Sequence, residues 1–475
     1  MTGEGAGRPA QDVDAVDVDA VVVGAGIGGL TAAWELDRRG LRAVVLEATG
    51  RAGGPVRGGA FESLPGVPVD LGAESFAVRG GAVEELAEEL GLRVEAPAAL
   101  GAWGFAAGRA FPLPAAGILG IPSRPWAADV RRAVGWPGVL RGSLDRVLPR
   151  RRTSFDDLGA LVRSRMGRRV TDRLVAAVAA GVHSAPLDRL DVEAVAPGLR
   201  RAVEDSGSLS RAVSGLRAAA PPGAAVRGID GGVHSLVDGL VDRLDVRARH
   251  VVTGIDTASP AGADGVWVIT AQTPGGTAAF RTSRLVVATA GVAPPPPRAR
   301  PLVPERGADI WLAALLVEAR ELDSAPRGTG MLVAPGRAPS AGRPRPVRAK
   351  ALTHTTAKWP WLAARVRAAA GPGTHVIRLS YGRIGEPTPE PTREEAARDA
   401  SALLGVDLTG RVRDVLTQRW DGALPPPTPA YRARVREFLD AAGQVPGLAV
   451  TGGWVAGTGL AAVVAHARAA VARLP

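Results

Sequence analysis

The sequence predicts an α/β fold: a Rossmann-like sheet assembled from three separated stretches of the chain, interrupted by a mixed-sheet domain and a helical lobe. Three observations predict it. A fully apolar run, Ala20-Val21-Val22-Val23, leads through Gly24-Ala25-Gly26-Ile27-Gly28-Gly29 toward a second apolar run, Ala43-Val44-Val45-Leu46. Such runs suit strands buried on both faces of a parallel sheet, with a helix packed between them. Pieces of the same style return around 226–292 and at the C-terminal end. The chain has 475 residues, too many for one simple core, and 46% are apolar, enough for two or three packed domains.

The elements follow in order. Residues 1–18 are rich in Gly, Ala and Asp without periodicity and predict a disordered leader. Residues 19–95 form the first part of the sheet domain: strand 20–23, helix 30–39, strand 43–46 and an amphipathic helix at 82–90. From 112 to 202 the pattern is helical, punctuated by Pro122, Pro137 and Pro149, and predicts the lobe. Residues 226–292 supply the second part, with a helix at 235–244 and strands at 251–255, 266–270 and 284–289. Residues 293–443 hold Pro-rich loops, strands at 310–317 and 376–381 and a helix at 393–404. Residues 444–475 close the sheet with strand 448–450, a glycine loop and a buried helix. The uncharged stretch 447–465 is long enough to span a bilayer, but glycines at 452, 453, 457 and 459 favour strand, loop and helix.

Composition excludes several chemistries. There is no Cys, so disulfides, thiol catalysis and cysteinyl-linked flavin are ruled out. The six His show no metal-ligand spacing, so no metal is expected. Lys350 and Lys358 are the only lysines, and Arg carries nearly all of the +11 formal charge. That excess favours anionic partners, yet no nucleic-acid motif accompanies it. No basic start followed by an apolar run marks a secretory signal. The expected location is cytoplasmic, with peripheral contact at a membrane face.

Gly24, Gly26 and Gly29 give G-x-G-x-x-G between a strand and a helix. Gly24 permits the tight turn, Gly26 lets a pyrophosphate reach the backbone, and Gly29 allows close helix–sheet packing. The helix N-terminus then offers unpaired N–H groups and a favourable dipole. Glu47 ends the next strand, where a carboxylate accepts hydrogen bonds from a ribose and disfavours a 2′-phosphate. Arg51 is placed to neutralise pyrophosphate, and Gly53-Gly54 bring backbone near the dinucleotide.

With these residues the chain resembles the flavin amine-oxidase superfamily, and within it the bacterial protoporphyrinogen/coproporphyrinogen oxidase family. Further carriers are Asp70-Leu71-Gly72-Ala73-Glu74-Ser75-Phe76, Phe111-Pro112-Leu113-Pro114, Gly120-Ile121-Pro122-Ser123, Ala180-Gly181-Val182-His183, Asp188-Arg189-Leu190, Gly231-Gly232-Val233-His234-Ser235-Leu236-Val237, Lys358-Trp359-Pro360, Arg419-Trp420 and Ala423-Leu424-Pro425. The resemblance implies noncovalent FAD, a tetrapyrrole substrate and molecular oxygen as acceptor. It implies cofactor contacts from Gly24, Gly26, Gly28, Gly29, Glu47, Arg51, Gly53, Gly54, Gly72, Val252, Trp420, Gly453, Thr458, Gly459 and Leu460. A helix starting near Thr458 would aim N–H donors at the flavin N1/O2 edge. Porphyrinogen oxidation needs no activated nucleophile, so no catalytic acid or base is assigned; Lys358 and Trp454 are flavin-side candidates, with structural roles as the competing reading. Ala73, Trp454, Ala461-Ala462 and His466-Ala467-Arg468 depart from the family pattern.

Two alternatives stay open at the level of sequence: a diverged oxidase or desaturase acting on another substrate, and a porphyrin- or FAD-binding partner protein without turnover. The favoured substrate is coproporphyrinogen III, whose four propionates gain most from an Arg-rich pocket. Arg109, Arg124 and Arg348 are the candidate carboxylate partners.

Overall fold

The computed structural model describes residues 14–181, 185–219, 226–257, 265–292, 302–335, 347–423 and 428–475. Val182, His183, Leu424 and Pro425 lie outside them, as do residues 1–13 of the expected leader. Within the stretch expected as leader, Val16–Asp17 pairs in parallel with Phe280 and Arg281.

A five-stranded parallel sheet has the order Asp245–Ala248, Ala43–Glu47, Ala20–Val23, Leu285–Val287, Leu448–Val450. Three distant parts of the chain therefore meet in one sheet. All four residues of Ala20–Val23 are buried. Helices Ile27–Asp37, Ala82–Glu89, Ser235–Val241 and Leu460–Val471 pack into a single apolar cluster on one face. The opposite face packs on helix Pro429–Ala442 and on an antiparallel set, Val251–Thr257, Trp267–Thr273 and Gly276–Thr282. Of the strands in 226–292, Asp245–Ala248 and Leu285–Val287 join the parallel sheet, and these three form the antiparallel set. Thr273 pairs with Gly276 across Pro274-Gly275, a two-residue turn that forces the chain straight back.

The second sheet has seven strands and is mixed. Its order is Val412–Ala423, Ala308–Glu318, Thr374–Tyr381, Ala351–His354, Gly330–Val333, Ala102–Ala106, Arg109–Pro112. All pairs are antiparallel except Gly330–Val333 with Ala102–Ala106. The lobe runs from helix Ala128–Ser143 to helix Leu209–Ala218, past the expected end at 202, because Ser208 caps a further helix by accepting from Arg211 N. At its centre the Arg165 guanidinium meets the Asp145 carboxylate at 2.8 Å, both fully buried, and Ser208, Leu209 and Ser210 complete the carboxylate's hydrogen bonds. Among the described residues no helix is long and apolar enough to cross a membrane. The uncharged stretch 447–465 folds as strand Leu448–Val450, a short turn Gly453–Ala456 and the start of helix Leu460–Val471.

Candidate functional site

The C-terminal ends of the parallel strands converge on one cradle. Gly24 turns the first strand into its helix at φ +99°, and an added Cβ there would press on Thr289 at 3.1 Å. Leu30 N donates to Gly26 O as the first bond of helix Ile27–Asp37, leaving the N–H groups of Ile27, Gly28 and Gly29 outside the helix's own ladder. A Cβ on Gly26 would meet nothing within 4 Å, whereas one on Gly29 would lie 1.9 Å from Gly24 O. Gly26 therefore opens to the cradle and Gly29 serves packing. Gly28 serves packing too, since its Cβ would lie 3.0 Å from Gly452 Cα and from Val463.

Glu47 sits where its motif demands. Its Oε2 accepts from Ala25 N at 2.9 Å, and its Oε1 accepts from Thr49 N at 2.9 Å and Thr49 Oγ1 at 2.7 Å. The carboxylate is thus fixed at the strand tip before any ribose arrives. Val252 lies just beyond His250, whose N donates to Glu47 O at 2.8 Å; its side chain is buried beside Val44 and Leu46, which leaves only its backbone for a ligand. Gly53 N donates to Ala25 O at 2.8 Å, and Gly53 bridges to Gly26. Gly54 stands at φ +55° with only Gly26 Cα near its would-be Cβ. Arg51 donates to Gly58 O at 3.2 Å. Burial, and then the neighbouring Arg51, lower the pKa of Arg57, a second cation at the same turn that the sequence reading missed.

The C-terminal loop completes the cradle. Gly453, Gly457 and Gly459 are exposed, and a Cβ on any of them would meet nothing within 4 Å. Exposed Thr458 leads to Gly459, the cap of helix Leu460–Val471. Two open glycine-lined helix N-termini on one rim, with a fixed carboxylate between parallel strand ends, fit a dinucleotide carrying a ring that gains negative charge. Trp454 does not line this opening. Its indole N–H donates to Thr451 O at 2.7 Å, its ring packs 5.6 Å from that of Phe438, and Tyr431 donates to its carbonyl. The loop turns Trp454 into the core, which corrects its flavin-side placement.

Segment 70–74 clamps this cradle to the seven-stranded sheet. Gly72 lies so close to Pro55 that a Cβ would sit 1.8 Å from its carbonyl oxygen. Trp420 Nε1 donates to Leu71 O at 2.9 Å, and Arg378 Nη1 donates to Gly72 O at 2.9 Å. The Glu74 carboxylate accepts from Lys358 Nζ at 3.0 Å, from Trp359 Nε1 at 3.1 Å and from Arg378. Burial alone would raise the pKa of Glu74, but Arg378 and Lys358 hold it at about 2. Lys358 is thus engaged by a buried carboxylate within the fold. Arg348 is also corrected: it forms a forked pair with Glu395 at 2.5 and 2.6 Å, and Nη1 donates to Pro389 O, so its guanidinium is committed within the fold. Arg109 and Arg124 are exposed, on the edge strand of the sheet and ahead of the lobe's first helix.

Comparison with known proteins gives this geometry its class. A family profile described as flavin containing amine oxidoreductase matches residues 27–474, and the chain belongs to that family. The coproporphyrinogen III oxidase of Mycobacterium tuberculosis is 31% identical over 95% of this chain and 96% of its own length. The coproporphyrinogen III oxidase of Mycobacterium leprae is 29% identical over 95% and 97%. Within the family the chain falls with the bacterial protoporphyrinogen/coproporphyrinogen oxidase branch. A solved structure from Exiguobacterium sp. 255-15, provisionally described as a protoporphyrinogen oxidase, superposes with a TM-score of 0.74 at 21% identity, covering 96% of this chain and 98% of that one. A reduced UDP-galactopyranose mutase superposes at 0.65 with 14% identity, covering 96% and 94%; at such identities the likeness shows the fold alone. The protein is an FAD-dependent oxidoreductase.

Proposed function

We propose that the protein oxidises a porphyrinogen, favoured as coproporphyrinogen III, to the aromatic porphyrin, with molecular oxygen as the acceptor and hydrogen peroxide as the second product. The observation that carries this reading is the near full-length match to coproporphyrinogen III oxidases. When bound, FAD would supply a two-electron acceptor for substrate hydride that oxygen could reoxidise. The chain's own part is binding and orientation. Glu47, Gly26, Gly54 and the paired cations Arg51 and Arg57 would hold the dinucleotide, and the N–H groups opening helix Leu460–Val471 would favour negative charge at the ring. Glu74 with Arg378 and Lys358 fixes Gly72 against Pro55. Aromatisation supplies the driving force, so holding the macrocycle at the ring suffices. Arg109 and Arg124 remain candidate carboxylate partners. The test compares peroxide yield for coproporphyrinogen III and protoporphyrinogen IX across a salt series. The expected result is a preference for the tetracarboxylate that narrows with salt; a preference for the dicarboxylate, or no turnover of either, overturns the assignment.

The same reading includes a cytoplasmic protein that touches a membrane peripherally through its lobe. Trp126, Trp136, Leu140, Leu144 and Val147 are all exposed, from 47% for Leu144 to 76% for Val147. The last four recur at helical spacing on helix Ala128–Ser143 and the turn after it. Arg146 lies over the Trp126 ring at 4.3 Å and Arg131 over the Trp136 ring at 5.0 Å.

A further inference from the structure

His234 lies beneath the turn that carries Arg51, and three elements hold it there. Asp70 ends strand Leu64–Asp70; its Oδ1 accepts from His234 N at 3.0 Å and from the imidazole Nδ1 at 2.8 Å, and its Oδ2 accepts from Val233 N at 2.9 Å. The ring is wedged between two glycines. A Cβ on Gly58 would lie 2.5 Å from His234 Cδ2, and one on Gly232 would lie 2.5 Å from Cε1. Gly58 pairs with Asp70 across the hairpin and accepts from Arg51 through its carbonyl. A closed circuit thus runs from Asp70 to His234, to Gly58, to Arg51 and on to Gly53-Gly54, which rest against Gly26 on one side and Val237 on the other.

The charges around the ring have a direction. Because Nδ1–H is given to Asp70, gain or loss of a proton falls on Nε2. Burial opposes the charged ring, but the Asp70 hydrogen bond and the carboxylates of Asp70 and Asp238 raise its pKa above 6.5, with Arg51 pulling the other way. When protonated, the ring adds positive charge under the turn that would face the pyrophosphate.

We propose that the Asp70–His234 pair is a positioning device for the Arg51–Gly54 turn and makes retention of FAD depend on pH. The inference rests on FAD as the cofactor and not on the porphyrinogen reading, so failure to turn over either porphyrinogen leaves it standing. Retention is strongest where His234 is charged and weakens as pH rises through its titration. The holoprotein is diluted into buffers from about pH 6 to about pH 8.5, a range that brackets a raised histidine, and released FAD is followed by its recovered fluorescence. Wild type should release FAD several-fold faster at the alkaline end. His234→Gln, neutral and still able to donate to Asp70, should release it at one rate throughout; Asp70→Asn should move the break to lower pH. A flat wild-type profile overturns the proposal, as does a His234→Gln profile with the wild-type slope, which is what a purely structural role would give. If Asp70→Asn does not fold, the wild type and His234→Gln decide the matter.

Discussion

Glu74 is fully buried and bears the charge on which two cations depend. Removing one member of such a cluster costs more than the cluster contributes, because the remaining charges stay desolvated. Glu74→Gln should destabilise the fold by about 3–5 kcal/mol, read as a lower urea midpoint at neutral pH; a change under 1 kcal/mol would contradict the geometry. Its pH dependence has a definite sign. With a folded pKa of about 2 against the ordinary 4.5, its stabilisation is complete above the ordinary value and is lost as pH falls toward 2. Glu47→Ala acts on the cofactor instead. It should weaken FAD binding by about 2 kcal/mol, the order of a lost charged hydrogen bond, measured by titrating apoprotein with FAD. The two carboxylates differ in legibility for a plain reason. Glu47 is announced by the apolar strand before it, whereas Glu74 meets Lys358 and Arg378 across about three hundred residues, and only the fold brings them together. Arg348 was misread for the same cause, since its Glu395 partner is remote in sequence, and Trp454 because its polar atom is satisfied three residues back.

At the scale of elements, strands Ala351–His354 and Thr374–Tyr381 bring two histidines together. His354 Nε2 lies 3.1 Å from His375 Nδ1, and His375 Nε2 lies 3.1 Å from Asp323 Oδ1. Burial and then His375 push His354 down to about 3; burial also lowers His375, although Asp323 opposes it. Both rings are therefore neutral in the fold and protonate first in the unfolded chain. The His354 contribution is complete above about 6.5 and drains away as pH falls toward 3, at up to about 1.4 kcal/mol per pH unit; His375 contributes with the same sign. Urea unfolding between pH 7 and about 5, where Glu74 stays ionised, should lose less stability with falling pH in His354→Gln than in wild type, because His234 and Asp399, both raised, act with the opposite sign in each; an identical pH dependence would refute this account. Elements themselves were legible where local signals agreed. Helix Arg393–Leu404 matches its expected bounds because Thr392 Oγ1 caps it by accepting from Glu395 N and Gly405 ends it at φ +74°. Strand Val412–Ala423 was missed because it is a sheet edge, partly wet along its length, with Arg413, Asp414 and Arg419 breaking any apolar run. Arg378 left only a faint signal, a lone charge inside the apolar strand Thr374–Tyr381.

At the scale of the whole molecule, the +11 charge is not spread evenly. Between 124 and 152, Arg124, Arg131, Arg132, Arg146, Arg150, Arg151 and Arg152 are exposed and no acidic residue is. Asp145, the acid in the middle of the run, is buried and spent on Arg165. Trp126, Trp136, Leu140, Leu144 and Val147 share this surface. Apolar side chains ringed by guanidinium groups match an anionic lipid interface, where the rings and branched chains enter the headgroup boundary and the cations stay with the phosphates. Each Arg near such a surface contributes about 1 kcal/mol, an attraction that salt screens within about 10 Å. Neither contribution alone anchors a protein for long, so binding should be partial and reversible. Flotation with anionic vesicles is expected to carry up a fraction of the protein at low salt and less at high salt, with neutral vesicles carrying little. Arg150, Arg151 and Arg152 changed together to Gln should lose most of the salt-sensitive part. Trp136→Asp with Leu140→Asp should abolish flotation at every salt while leaving FAD bound, because both side chains are exposed and distant in sequence from the cradle. Retention on membranes through a high-salt carbonate wash would instead require insertion deeper than this stripe can reach, and equal flotation of the double aspartate variant would move the contact elsewhere on the molecule.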